Sequence, residues 1–133
     1  MQKVEHIGIA VKDLSQAVPF FEKLLNTDCY KKEFVEGEKV TTAFFQAGET
    51  KIELLEATDD TSVIKKFIDK KGEGIHHIAL AVADIETEIK RLVAQGYTLL
   101  QDRPKPGADN KLVCFLHPKD SFGVLIELCM EKK

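Results

Sequence analysis

The sequence predicts an α+β fold of two βαβββ modules, because an internal repeat and an alternation of strand and helix patterns divide its 133 residues into similar halves. The segment His6–Leu14 (HIGIAVKDL) returns 71 residues later as His77–Ile85 (HIALAVADI). The tripeptide Ile-Glu-Leu at 52–54 returns 74 residues later at 126–128, in the same order. Two matches at nearly one offset indicate a structural repeat. Each half therefore runs from a histidine near its first strand to a glutamate near its last.

The first half has the pattern of a strand, a helix and three further strands. Side chains alternate over Val4–Val11, which predicts a strand. Apolar residues then recur every three or four positions from Leu14 to Leu25, and Asp13 or Ser15 is the predicted N-cap of this helix. Pro19 fits the helix interior poorly, because proline lacks the amide that the helix needs. The remaining predicted strands are 27–35, 40–47 and 50–56, with Gly37 and Gly48 at turns.

The second half repeats this order after an amphipathic, lysine-rich linking helix at Thr61–Lys71. Its predicted elements are a strand at 75–82, a helix at 84–95 ended by Gly96, and strands at 97–102, 111–117 and 123–130. We therefore predict one domain, with module one at about 1–57, the linking helix at about 58–73 and module two at about 74–133.

Composition excludes several classes of protein. Lys and Arg number 19 and Asp and Glu 22, so the net charge of −3 is not that of a nucleic-acid binder. The longest apolar run, Ile78–Ala83, is far shorter than the ~18 residues of a membrane helix, and no targeting segment is visible. Three cysteines without a CxxC spacing indicate reduced thiols. We expect a soluble cytoplasmic protein with a small-molecule partner, and neither a nucleic acid nor a membrane as partner.

Strand alternation places two histidines and two glutamates on the strand faces that point towards the presumed cavity. Side chains two positions apart lie on one side of a strand, and each histidine shares its side with small residues. Glu53 and Glu127 lie between bulky apolar neighbours that point the other way, so each carboxylate faces the presumed cavity. A buried charge is costly unless it is paired or metal-bound. If the two halves close on a two-fold axis, His6, Glu53, His77 and Glu127 converge on one divalent metal ion.

The ligand set restricts the chemistry more than it restricts the metal. Mixed nitrogen and oxygen ligands suit Zn, Co, Ni, Mn or Fe(II), and the sequence does not choose among them. Four protein ligands on an octahedral ion leave two positions, which a chelating substrate can fill while the metal acts as a Lewis acid. Fe(II) oxygenases use two histidines and one carboxylate. The fourth ligand therefore favours proton transfer over oxygen activation.

Over essentially its whole length, the chain resembles the vicinal oxygen chelate (glyoxalase/bleomycin resistance/dioxygenase) superfamily and, within it, the methylmalonyl-CoA epimerase family. The first and last strand motifs, HIGIAV and GVLIEL, are signals of the superfamily. The pair GIHH at 74–77 and FLHPKD at 115–120 is more particular to the epimerases, and KIELL at 51–55 and KPGA at 105–108 accompany it. The resemblance implies a curved eight-stranded mixed sheet around a metal cavity, with His6, Glu53, His77 and Glu127 as metal ligands.

The resemblance also implies an activity, which is interconversion of (2R)- and (2S)-methylmalonyl-CoA through a metal-stabilised enolate. Glu127 is the candidate for one acid/base group. Some family members carry a second acid/base glutamate on the third strand, but residues 40–44 here contain no carboxylate, which leaves Glu53 or a water as possibilities. Arg103 and Lys119 are candidates for binding the CoA phosphates. A homodimer is expected, because dimerisation buries edge strands.

Two alternatives remain at this stage. A glyoxalase I-like lactoylglutathione lyase would use the same ligands and the same enediolate chemistry on a glutathione adduct. A non-catalytic small-molecule-binding protein of the same fold would need no stoichiometric metal. The alternative interpretation of Arg103 and Lys119, that they are solvated loop charges, also stays open.

Overall fold

The computed structural model describes residues 1–132 and confirms a βαβββ order in each half. The elements within the described residues are β1 (Lys3–Ala10), α1 (Leu14–Leu25), β2 (Lys31–Val35), β3 (Val40–Ala47), β4 (Thr50–Ala57), α2 (Val63–Lys71), β5 (Gly74–Ala81), α3 (Ile85–Ala94), β6 (Lys105–Pro106), β7 (Lys111–Leu116) and β8 (Ile126–Glu131).

Contacts divide the chain into two compact units, with boundaries inside β1 and β5. The first unit is His6–His76, and the second unit combines Met1–Glu5 with the chain from His77 onward. Each unit contains one histidine and one glutamate of the predicted ligand set. The single-domain arrangement of the predicted modules stays a prediction.

The first unit is a sheet in the order β2-β3-β4-β1, in which β4 runs parallel to β1 and the other neighbours are antiparallel. One face packs against α1, where Leu14 and Val18 meet Phe45 and Leu54. The opposite face carries His6 and Glu53 and is called the His6 face below. The linking helix α2 covers one end of this face through Ile64, which packs with Ala10, Val40 and Leu55. The sequence predicted this helix but not the surface on which it packs.

The second unit has the corresponding order β5-β8-β7-β6, again with one parallel pair, β5 and β8. Helix α3 packs on one face through Ile85 and Leu92, which contact Leu128 and its neighbours. The opposite face carries His77 and Glu127 and is called the His77 face below. In the same unit, the Gln2 amide donates a hydrogen bond to the Ala81 carbonyl, at 2.8 Å.

An aspartate begins the main helix of each unit in the same way. The Asp13 side chain accepts a hydrogen bond from the Ser15 amide, and the Asp84 side chain accepts one from the Glu86 amide. Such caps satisfy an amide that has no partner inside the helix. Asp13 is therefore the N-cap of α1, and Pro19 lies inside the helix, where the sequence pattern had indicated a poor fit.

Three predicted strands are shorter than expected. The strand predicted at 123–130 begins only at Ile126. The strand predicted at 27–35 begins only at Lys31. The strand predicted at 97–102 is wrong: Leu99 forms a single bridge with Leu116, and the edge strand is the two-residue β6. The pairing stops at Gln101, because its side-chain Oε1 accepts the hydrogen bond from the Phe115 amide, at 2.9 Å. In a continuing strand, a backbone carbonyl would accept this bond.

None of the helices within residues 1–132 is long and apolar enough to cross a membrane.

Candidate metal centre

In the first unit, His6 and Glu53 form a buried contact. Parallel pairing of β1 with β4 places Gly8 opposite Glu53, so the carboxylate lies beside the strand that carries His6. His6 Nε2 and Glu53 Oε1 are 3.3 Å apart, and the two residues are only 6% and 4% exposed. Gly8, the residue opposite Glu53 on β1, adds no side chain beside the carboxylate.

In the second unit, His77 and Glu127 form the same contact. Parallel pairing of β5 with β8 places Ala79 opposite Glu127. His77 Nε2 and Glu127 Oε1 are 3.2 Å apart, and both residues are 5% exposed. The His77 ring also meets the Phe115 ring edge-on, with their centroids 5.9 Å apart, which fixes the orientation of the imidazole.

The strand register between the histidine and the glutamate is the same in both units. In each, the glutamate lies opposite the residue two positions beyond the histidine. In each, a phenylalanine of the neighbouring antiparallel strand lies on the other side of the glutamate, Phe44 in the first unit and Phe115 in the second. The repeat seen in the sequence is therefore a repeat of three-dimensional positions.

The donor atoms of each pair fit a divalent metal ion. Two ligand atoms about 2.1 Å from one ion, at angles between octahedral and tetrahedral, lie about 3.0–3.4 Å from each other. The observed separations of 3.3 and 3.2 Å fall in this range. Imidazole nitrogen with carboxylate oxygen is also a donor set that first-row divalent metals accept. Each histidine–glutamate pair thus has a spacing and a donor chemistry that suit a metal ion.

The other two histidines have structural surroundings. The His76 ring packs edge-on against Phe67, with centroids 5.0 Å apart, and burial lowers its pKa to about 4. His117 caps the single helical turn Pro118–Asp120, where its Nδ1 accepts the Lys119 amide at 3.1 Å.

The predicted phosphate-binding residues lie on exposed chain. Arg103 is exposed in the irregular segment before β6, and Lys119 is exposed in the turn before β8. The turn of Lys119 is held in place by Asp120, whose carboxylate accepts the Thr98 amide at 2.6 Å.

The three cysteines are free, as the sequence indicated. Cys114 and Cys129 are buried, and Cys29 is half-buried. Burial raises the pKa of the Cys114 thiol, so this side chain stays protonated.

Sequence reasoning missed three charged residues on the faces that carry the histidines. Lys31 and Glu33 lie on the His6 face of β2, with Lys31 Nζ 3.4 Å from Glu33 Oε1. Lys111 is buried on the His77 face of β7, 2.8 Å from Glu131 Oε1. The alternation of β2 contained a signal for the first two, but only the pairing register places them beside Thr42 and Phe44.

Comparison with known proteins gives consistent matches. The sequence model of the Glyoxalase/Bleomycin resistance protein/Dioxygenase superfamily matches residues 5–115. The ethylmalonyl-CoA/methylmalonyl-CoA epimerase of Cereibacter sphaeroides is 38% identical over 128 residues, which are 95% of this chain and 96% of that protein. The mitochondrial methylmalonyl-CoA epimerase of Dictyostelium discoideum is 39% identical over 127 residues, 95% of this chain and 76% of that protein.

A solved structure matches over the full length. It is a variant of the Streptomyces coelicolor methylmalonyl-CoA epimerase in complex with 2-nitronate-propionyl-CoA, with a TM-score of 0.92 and 32% identity over 100% of this chain and 99% of that chain.

Proposed function

Because this chain belongs to the glyoxalase/bleomycin resistance protein/dioxygenase superfamily, we propose that it is a metal-dependent methylmalonyl-CoA epimerase, an isomerase that exchanges the proton on C2 of methylmalonyl-CoA. Family membership also confirms the predicted fold class. The observation that carries the proposal is the buried histidine–glutamate pair of each unit, held in one register, in a chain whose full-length relatives are named for this activity.

The metal ligands proposed are His6, Glu53, His77 and Glu127. Support comes from donor atoms 3.3 and 3.2 Å apart within each pair and from burial, which excludes competing water. A divalent ion bound there would stabilise the negative charge that develops on the substrate oxygens when the C2 proton leaves. The metal can be Co, Zn, Ni, Mn or a similar ion.

Glu127 is the proposed acid/base group of the second unit. The residue is 5% exposed and lies on the same face as His77, beside the small side chain of Ala79. A carboxylate at a dry site can remove a proton from a carbon next to a carbonyl and return it without competition from bulk solvent. Glu53 is in contact with His6 through Oε1, which supports a ligand role.

The CoA part of the substrate requires cations for its phosphates. Arg103 and Lys119 are proposed for this role, because both are exposed and each belongs to a short segment held by backbone hydrogen bonds to β7 or its neighbours. The turn of Lys119 precedes β8, which carries Glu127.

The enzyme is further proposed to be a cytoplasmic homodimer folded as one domain. Free cysteines support a reducing compartment. β2 and β6 are the outer strands of their sheets, and strand edges favour dimerisation. Light scattering on the purified protein tests the dimer.

The experiment that tests the function is incorporation of solvent deuterium at C2 of methylmalonyl-CoA. We expect rapid exchange with the metal-loaded protein and loss of exchange in the presence of a chelator, restored by added divalent metal. Methylglyoxal with glutathione is the parallel substrate test. Turnover of that mixture alone would replace the epimerase with a lactoylglutathione lyase, and absence of stoichiometric metal by elemental analysis would favour a binding protein.

A further inference from the structure

The turn that leads into β8 holds an aromatic side chain away from the rest of the second unit. Phe122 has a φ of +58°, and its side chain is fully exposed. A left-handed backbone is strained for a bulky residue, whereas glycine adopts it freely. Within residues 1–132, five non-glycine residues have such a φ, and Phe122 is the only aromatic one among them. A ring that is both strained and unpacked indicates a functional role, because it does not stabilise the fold.

Hydrogen bonds hold this turn in one shape. The Pro118 carbonyl accepts the Ser121 amide at 3.1 Å and the Gly123 amide at 2.9 Å, which closes the turn around the residues between them. The Asp120 carboxylate accepts the Thr98 amide at 2.6 Å and so attaches the turn to the segment after α3. The exposed ring is therefore presented by a fixed turn and not by a loose loop.

Lys119 lies in the same closed turn as Phe122, and its side chain is also exposed. A flat aromatic ring and an ammonium group are thus presented together by one short segment. Aromatic rings stack on the faces of nucleobases, and lysine ammonium groups bind phosphate oxygens. The two side chains match a ligand that combines a flat base with phosphate groups, which is the composition of the nucleotide end of CoA.

The length of the chain between this turn and Glu127 agrees with the length of CoA. Phe122 precedes Glu127 by five residues, and five residues of extended chain span at most about 18 Å. The pantetheine arm joins the thioester sulfur to the first phosphate through about twelve single bonds, which span about 15 Å when extended. Under the proposed function, on which this inference rests, a substrate with its thioester near Glu127 can bring its nucleotide end to the turn.

We propose that Phe122 stacks on the adenine base of the CoA substrate while Lys119 contacts one of its phosphates. The turn is then the site that recognises the nucleotide end of the substrate and makes the enzyme prefer CoA thioesters over shorter ones. Stacking covers the ring face that the free protein exposes to water. Because the turn is already fixed by its hydrogen bonds, binding has little backbone freedom to remove.

The test compares kcat/KM for methylmalonyl-CoA with kcat/KM for methylmalonyl-pantetheine, a thioester that lacks the adenine nucleotide. We expect the preference for the CoA thioester to fall by about tenfold or more in Phe122→Leu, which keeps an apolar side chain but has no aromatic face. Phe122→Tyr should keep the preference within about threefold of wild type, since tyrosine stacks as phenylalanine does. A purely structural role for Phe122 would change both rate constants and leave their ratio as it is.

The matched control is Phe20→Leu, which removes another exposed aromatic ring, from α1 of the first unit, and should retain the wild-type preference. Titration calorimetry with CoA itself gives a readout without turnover, and Phe122→Leu should bind CoA about tenfold more weakly.

A wild-type preference in Phe122→Leu overturns the inference while the proposed function stands. Loss of dimers in Phe122→Leu with an unchanged preference also overturns it, because the ring would then belong to a contact between two copies of the chain. Absence of C2 exchange with both thioesters in the wild-type protein removes the proposed function itself.

Discussion

The first and second units agree where the histidine and glutamate lie and differ at the far end of that face. In both, the register of the parallel strand pair is the same around the glutamate. Four positions before Phe44 the first unit has Val40, buried under α2 with Ile64. Four positions before Phe115 the second unit has Lys111, buried in ion pairs with Glu131 and Asp109.

This difference shows which features the site constrains. An amphipathic helix and an ion-paired lysine are different ways of closing one end of a sheet face, yet the histidine–glutamate distance differs by only 0.1 Å between the units. The strand register therefore determines the ligand geometry, and the closing elements are free to differ. The four predictions below test this comparison in decreasing order of expected effect.

The largest expected effect is a difference in kcat between substitutions of Glu127 and of Glu53. Glutamine at either position keeps an oxygen for the metal, but only at position 127 does the substitution also remove the proposed base. We expect Glu127→Gln to lower kcat by about 1000-fold and Glu53→Gln by no more than about tenfold. Elemental analysis should find bound metal in both. Equal losses of kcat would show that the two units contribute in the same way.

Helix α2, which covers one end of the His6 face, should affect metal binding. Helix α3, which packs on the face opposite the His77 face, should not affect it. Ile64 is 2% exposed and Ile85 is fully buried. We expect Ile64→Ala and Ile85→Ala each to lower the free energy of unfolding by about 3 kcal/mol, measured by urea titration of the chelated protein. Isothermal titration should show weaker metal binding only for Ile64→Ala. Weaker binding in both variants would contradict a local role for α2.

His76 should make the protein less stable in acid. Its pKa is about 4 in the folded protein, because burial disfavours the charged ring, and near 6.5 in the unfolded chain. The neutral ring costs nothing above pH 6.5, and stability is lost as the pH falls from 6.5 towards 4, by up to about 2–3 kcal/mol. We expect His76→Phe, which keeps a ring against Phe67, to remove this part of the pH dependence. Denaturant titrations at pH 7 and 5 measure it.

The other ionisable groups are common to both proteins, so the difference between wild type and variant isolates His76. An unchanged pH dependence in His76→Phe would show that folding does not lower the pKa of His76.

The smallest effect concerns one turn position that the units fill differently. Five residues before the glutamate, the first unit has Gly48 at a φ of +66°, and the second has Phe122 at +58° with its side chain fully exposed. This conformation is strained for a bulky residue and open to glycine. We expect Phe122→Gly to raise the free energy of unfolding by about 1 kcal/mol and Gly48→Ala to lower it by a similar amount. A lower Tm for Phe122→Gly would show that the ring has a packing role.

Local pattern in the sequence predicted the modules and the facing of the four proposed ligand residues, since strand alternation and a repeated motif depend only on nearby residues. Segment 97–102 was mispredicted because a side chain, Gln101, ends the ladder, and alternation of apolar residues cannot reveal this. Glu33 was missed for a related reason. Its place beside Thr42 depends on the pairing of β2 with β3, which is a property of the register and not of either strand alone.

The buried thiols supply the second unit with an internal reporter. Cys114 and Cys129 lie on adjacent strands of the second unit, and both are closed to solvent, while the first unit has the half-buried Cys29. A thiol reagent can therefore reach Cys114 or Cys129 only when that sheet opens, so alkylation rates followed by mass spectrometry measure how often it does so. The same shielding protects these sulfurs from peroxide in the resting enzyme.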